Sequence, residues 1–420
     1  MGRGLRNALV AMLAMPLAAC ATSGALDIAC RDFDNPDPQR SLRQKLPPSA
    51  LEQQIQSGGA EAAPARAPLD AALEAALMPA ATSGAESTPR KPSYLLLSGG
   101  GQWGAFGAQF LAEQHRQGAL PPFKIITGVS TGGLQSLFLG VGTDEAFDQL
   151  VAAYSPSGEA EIVDRHPQWQ AAIRGAIAGL KPLKRRIEQR ICADPSRPCF
   201  IDALAQSGKQ ILIGFVEADS GSFYYVDAVR IARLPDRREA RACLTAAALA
   251  SAAMPVFFQQ VRINGVTYYD GGVRQSVFES RIAEGIGRAE RAVARDRGGI
   301  PAGRLYVVRN GPTTLASDAK ANDAADALTN ALRAEAIIVN QLEVGSIAAL
   351  RLERPSEPIS LITAQGWNNH PDPAAPGQFC HKANPDAMFD PGFMACLRDF
   401  GKSKAALPAP WIALRPITQR

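Results

Sequence analysis

Three short motifs hold the residues of this chain whose types and spacing could do chemistry. Gly128-Val129-Ser130-Thr131-Gly132 is a G-x-S-x-G set between an apolar run, Phe123 to Thr127, and a helical stretch, Gly133 to Leu139. A strand that turns directly into a helix leaves no room for β-carbons beside a nucleophile, which is the physical use of the flanking glycines. Such a turn lifts the Ser130 hydroxyl to a helix N-terminus, where the dipole favours developing negative charge. Ser98-Gly99-Gly100-Gly101-Gln102-Trp103-Gly104 also follows an apolar run, Tyr94 to Ser98, and precedes a helical stretch from Gly104 to about Gln117. Consecutive glycines let several backbone N–H groups converge on one anionic oxygen, either of a phosphate or of a tetrahedral acyl intermediate. A P-loop would end in Gly-Lys-Ser/Thr, and this loop ends in Gln-Trp-Gly. Gly99, Gly101 and Gly104 satisfy G-x-G-x-x-G, but the next strand ends at Thr127 and runs into the serine turn, so the acid of a dinucleotide site is missing. The oxyanion reading remains.

A serine hydroxyl needs a base to take its proton. Tyr269-Asp270-Gly271-Gly272, at the end of a short apolar run, offers one. The four histidines are His115, His166, His370 and His381, and none has the strand-end context of an α/β-hydrolase triad. A Ser130–Asp270–His370 triad is the alternative; Asp270 acting directly on Ser130 explains the sequence better.

The three motifs, in this order and these contexts, resemble the patatin-like phospholipase family. The resemblance spans roughly Tyr94 to Thr314 and includes Ala248 to Phe257, similar to the family's segment ahead of the aspartate. It implies an α/β fold, a three-layer sandwich with a mainly parallel central sheet flanked by helices. It also implies a serine lipid acyl hydrolase working through a Ser-Asp dyad and an acyl-enzyme, with no cofactor and no metal. By that carry-over Ser130 is the nucleophile, Asp270 the base, and the backbone amides of Gly99, Gly100, Gly101 and Thr131 the oxyanion hole. Many members carry Arg or Lys before the last glycine of the loop; here Trp103 stands in that place. Its aromatic ring there would suit an acyl or interfacial site. Rival functions are a hydrolase of non-lipid esters or thioesters, which shares every catalytic residue, and a non-catalytic envelope lipoprotein.

The elements that must position these residues follow from the hydrophobic pattern. Strand, loop, helix, strand, turn, helix implies a parallel sheet wrapped by helices. Further strands are expected at Gln210 to Glu217, Ser222 to Val226, Thr267 to Tyr269, Arg304 to Val308 and Ile359 to Thr363. Helices are expected at Gln168 to Gln189, Arg238 to Ala253, Ser276 to Gly285 and Asp323 to Leu350. The expected organisation is a signal peptide over 1–19, a Pro/Ala-rich linker over 20–92, a catalytic domain over 93–315 and a C-terminal helical extension over 316–420 packed on it. Residues Pro156 to Arg190 are the lid candidate.

Arg3 and Arg6 precede an apolar run, Ala8 to Leu17, too short to span a bilayer. The run ends in Leu17-Ala18-Ala19-Cys20, which resembles the lipobox of bacterial lipoproteins, so Cys20 is the expected lipidation site. Ala21 after it implies sorting to an outer membrane, giving a lipid-anchored protein of the bacterial envelope, facing the periplasm, with membrane lipid as substrate. Of the six remaining cysteines, the close pairs Cys192 with Cys199 and Cys380 with Cys396 are the expected disulfides in an oxidising compartment. His370, Cys380 and His381 are too loosely spaced for a tetrahedral metal site without distant help. The net charge of +4, about +2 without Arg3 and Arg6, carries no footprint for nucleic acid. The four tryptophans read as packing, and the basic stretches 181–190 and 230–241 as solvated faces.

Overall fold

Runs of apolar residues without polar alternation, centred on residues 94–97, 125–129 and 211–216, lie side by side and buried on both faces in the computed structural model. The structure describes residues 24–59, 68–78, 91–167, 175–278, 280–297, 303–315 and 327–417. Cys20 and residues 1–19, expected to be a signal peptide, lie outside them.

The chain runs β1 (Leu26–Ile28), β2 (Arg43–Lys45), α1 (Ala50–Gln56), α2 (Pro68–Leu77), β3 (Ser93–Leu97), α3 (Gly104–Arg116), β4 (Phe123–Val129), α4 (Thr131–Val141), α5 (Asp144–Ala153), β5 (Asp164–Arg165), β6 (Ala176–Gly179), α6 (Lys181–Cys192) and α7 (Phe200–Ala205). It continues through β7 (Gln210–Glu217), β8 (Phe223–Asp227), α8 (Ala228–Ala232), α9 (Arg237–Ser251), β9 (Val256–Phe258), β10 (Val261–Ile263), β11 (Val266–Asp270), α10 (Ser280–Arg297), β12 (Arg304–Arg309), α11 (Ala327–Glu353), β13 (Ile359–Thr363), α12 (Pro391–Ala405) and β14 (Ile412–Ala413). The central strands β7, β4, β3, β12 and β13 are mutually parallel and neighbours in that order. Alternation along β3 divides the core. Leu95 and Leu97 pack with Phe106, Phe110 and the alanine-rich α9 on one face, while Tyr94 and Leu96 pack with Leu73, Ile286 and Leu350 on the other. The expected three-layer α/β sandwich is therefore present.

Two expectations about organisation change. The segment read as a linker is built into the body over its described parts. β1 pairs in parallel with β10, a disulfide joins Cys30 to Cys243, and Phe33, fully buried, packs against Phe215 and Tyr268. In α2, Leu69 and Leu73 are buried and Asp70 pairs with Arg281 and Arg288 of α10. The C-terminal segment is likewise not only helical, because β13 extends the central sheet beside β12 and β14 adds antiparallel to β13. Part of the helix expected from Gln168 to Gln189 is strand. β6 pairs with β5 and β9 in a separate three-stranded sheet, and helix begins only at Lys181, with Pro182 in its first turn. Residues 168–174 lie outside the description. Cys192–Cys199 and Cys380–Cys396 form disulfides as expected. Among the described residues no helix is long and apolar enough to cross a membrane, and no cluster could hold a metal ion.

Candidate active site

Strand β7 acts as the ruler of the site. One of its edges pairs with β8. The other takes β4 up to Val129, opposite Gly214, and then β11 from Asp270, opposite the very next residue, Phe215. Neighbouring positions on a strand are about 3.3 Å apart. The end of β4, which delivers Ser130, therefore abuts the end of β11, which carries Asp270. Residues 140 apart in sequence become neighbours through one strand edge.

Ser130 sits at φ 54° and ψ −126°, a conformation that costs a non-glycine residue of order 1–3 kcal/mol. The surroundings enforce it. The Ser130 N–H donates to the Ser251 hydroxyl at 2.8 Å, and that hydroxyl donates to the Gly214 carbonyl at 2.7 Å. A β-carbon on Gly128 would stand 2.2 Å from the Gly132 carbonyl oxygen, and one on Gly132 would stand 2.6 Å from the carbonyls of Leu97 and Ser98, so both flanking glycines are sterically required.

Asp270 is buried to 1% exposure. Its Oδ1 accepts the Gly272 N–H at 2.7 Å, and its own N–H donates to the Ala253 carbonyl. Burial pushes its carboxyl up to about 7, opposed by the nearby Ser130 hydroxyl and the Gly272 N–H and assisted by the negative charges of Glu335 and Glu343 on α11. Oδ2 meets no partner at hydrogen-bond geometry. Ser130 thus lies near enough to favour the carboxylate, yet the hydrogen bond between them is not formed, a looseness common in catalytic pairs before substrate arrives. His370 is committed elsewhere. Its Nε2 lies 2.8 Å from Asp399 and its ring packs on Phe400, so the triad alternative finds no support in the geometry.

The glycine loop faces this pair. Gly100 and Gly101 hold φ of +136° and +54°, and among the described residues their N–H groups meet no protein acceptor. Thr131 opens α4, so its N–H is a first-turn donor without an intrahelical acceptor. Gly99 leaves the expected set, because its N–H is bound to the Ser276 carbonyl at 3.2 Å; its place is filled by close packing against Ser130. Side chains that the motifs did not indicate hold the loop in position. Asn310 donates to the Ser98 carbonyl and exchanges hydrogen bonds with Gln135 of α4, while Ser276 donates to Glu343, which pairs with the buried Arg309.

A family model described as patatin-like phospholipase matches residues 95–279, which span the glycine loop, the serine turn and the aspartate. The chain carries a patatin-like phospholipase domain. The match supports a hydrolase domain of the kind that acts on lipid esters over those residues and does not extend to residues 280–420. Among solved structures the chain is similar to VipD from Legionella pneumophila, at 13% identity over 75% of this chain and 68% of that one, with a TM-score of 0.33, and nothing is argued from so loose a superposition. No curated protein sequence matches.

Beside Ser130 the patatin-like domain opens into an apolar cavity of about 850 Å³ including its mouth. Thr131, Leu134, Leu137 and Phe138 of α4 line it for two helical turns, roughly 10 Å at 1.5 Å per residue. Ile162, Val163 and the α6 residues Leu183 and Ile187, which belong to the segment expected as a lid, also line it. Trp103 does not line it. The indole packs edge-on against Trp367 and Phe393, with ring centres 5.2 and 5.1 Å away, and so anchors the glycine loop to the C-terminal segment.

Proposed function

We propose that this protein is a serine lipid acyl hydrolase in which Ser130 attacks the ester carbonyl and Asp270 is the base. The observation that carries the reading is the abutment of β4 and β11 along β7, which sets the strained serine against a buried carboxylate at the mouth of an apolar cavity. Asp270 accepts the Ser130 proton as the C–O bond forms, and the N–H groups of Gly100, Gly101 and Thr131 receive the oxyanion. Collapse breaks the ester C–O bond, and the proton on Asp270 passes to the departing alcohol. Water then gives a proton to Asp270 as it attacks the acyl-enzyme, and collapse breaks the bond to the Ser130 oxygen, which takes that proton back as the fatty acid leaves. The cavity along α4 holds the acyl chain. With Cys20 acylated, the enzyme would act from a membrane anchor on the lipid beside it.

The test is Ser130→Ala. Ester turnover and labelling by a fluorophosphonate probe should both vanish, with a loss on the order of 10⁶ in rate. Full turnover in that variant would end the proposal.

A further inference from the structure

Ser130 keeps its unfavourable backbone angles because the chain is tied down on either side of it. On the N-terminal side the tie is the Ser251 hydroxyl, which accepts the Ser130 N–H and donates in turn to the Gly214 carbonyl. On the C-terminal side it is Tyr154, the residue that follows α5. Its phenol oxygen lies 2.6 Å from Thr131 Oγ1 and 2.9 Å from the Thr131 carbonyl oxygen. A carbonyl only accepts, so the phenol donates to it, and the proton of the Thr131 hydroxyl is the one left for the phenol oxygen. Two hydrogen bonds thus close a small ring between one buried side chain and the first residue of α4.

Tyr154 is itself fixed. It is 6% exposed, and burial, partly opposed by the Thr131 contact, holds its hydroxyl protonated well above the ordinary phenol range. Its N–H donates to the Val151 carbonyl, and its own carbonyl accepts from Arg398 of α12 at 2.7 Å. Gly104, the last glycine of the loop motif, leaves the space that the pair fills. A β-carbon there would stand 2.3 Å from Thr131 Oγ1 and 2.5 Å from Tyr154 Cε1. That glycine is therefore explained by the Tyr154–Thr131 contact, without any approach to a ligand.

The consequence falls on the Thr131 N–H. Its direction turns with the ψ of Ser130, −126°, a value that the chain would relax if released. Resting on the hydrolase reading above, we infer that Tyr154 is a positioning residue of the oxyanion hole: by holding the hydroxyl and the carbonyl of Thr131, it keeps the N–H of that residue aimed at the oxyanion. Tyr154 also belongs to the wall of the acyl cavity. A wall acts on the acyl chain, whereas an oxyanion donor acts on the carbonyl whatever chain it carries. Substrate length separates the two roles.

Tyr154→Phe removes one oxygen, and with it both hydrogen bonds, while leaving the ring. In this variant kcat for an acetate ester and for a long-chain ester of the same alcohol should fall by one common factor, roughly 10–100-fold, with KM shifted less than about threefold, as expected of a displaced oxyanion donor. The rate of fluorophosphonate labelling should fall alongside, since that reaction places negative charge at the same position. An unchanged kcat, or a loss confined to the long-chain ester, overturns the proposal. Thr131→Val keeps the side-chain shape and removes only the hydroxyl, so it should show a smaller loss of kcat for both esters. Should Tyr154→Phe not fold, an unchanged kcat in Thr131→Val overturns the proposal instead. The double variant should lose no more than Tyr154→Phe alone, and losses that multiply in full would mean that the two side chains act independently, which overturns it too. An intact protein that is labelled at Ser130 but turns over neither ester loses the lipid hydrolase reading, while the labelling rate in Tyr154→Phe still decides the positioning role.

Discussion

Replacing Asp270 by Asn should remove activity and, above neutral pH, make the protein more stable. In the fold the Asp270 carboxyl is raised from 3.8 to about 7, so the native state holds its proton where the unfolded chain has released it. For a raised carboxyl the stability is full below the unfolded value and is lost as pH climbs toward the folded one. At about 1.4 kcal/mol per tenfold change in proton affinity, the native state of the intact protein gives up ~4 kcal/mol between pH 4 and 7. Asparagine does not ionise and avoids this loss. Its carbonyl can still accept the Gly272 N–H, but its amide nitrogen takes the position of Oδ2, which has no acceptor beyond Ser130, at a cost of about 1–3 kcal/mol. The net gain at pH 8 is then about 1–3 kcal/mol, and the gap between the two proteins widens with pH by the full ~4 kcal/mol. Urea unfolding of both proteins from pH 4 to 8 measures it. A stability difference that does not change with pH would refute the raised carboxyl, as would an activity of the intact protein that stays level from pH 8 down to 5.

Further outcomes follow from the packing. Leu134→Trp, which puts an indole one turn from Ser130, should cut turnover of long-chain esters about tenfold or more while a short soluble ester is affected far less, as comparative kcat/KM values would tell. Glu343→Gln leaves the guanidinium of Arg309, only 2% exposed, without its carboxylate and should cost roughly 3–5 kcal/mol in urea unfolding. Cys30→Ser with Cys243→Ser opens a 213-residue loop and should lower stability by up to about 5 kcal/mol on chain entropy, a difference that vanishes when both proteins are compared in reductant.

The parts of the site that depend on local geometry were legible in the sequence. Ser130 and Asp270 each close an apolar run and have glycine one or two positions further on, a pattern that a strand end with a tight turn explains. The strands 210–217 and 359–363 were visible for the same reason, as short apolar runs. What stayed hidden depends on partners far along the chain. Nothing near Gly99 says that Ser276 will take its N–H, and nothing near Trp103 says that Trp367 and Phe393 will enclose it. The 24–59 segment reads as linker because its proline content is high, yet Phe33 finds its place against a strand and Cys30 against helix α9, both more than 180 residues away. The helix pattern over 168–189 concealed β6, whose four residues are strand only because β5 and β9 flank them.

The crosslink between Cys30 and Cys243 also sets a problem of timing. A chain that emerges N-terminus first presents the earlier thiol long before its mate, with Cys192 and Cys199 appearing in between. Those two close a loop of seven, and short loops close with the smaller entropic cost. They are therefore expected to consume one another, leaving Cys30 unpaired until the strand pair around residues 261–270 exists to receive its arm. Correct oxidation in this protein is thereby tied to completion of the edge that holds the aspartate, so formation of the Cys30–Cys243 bond reports that the base is in place.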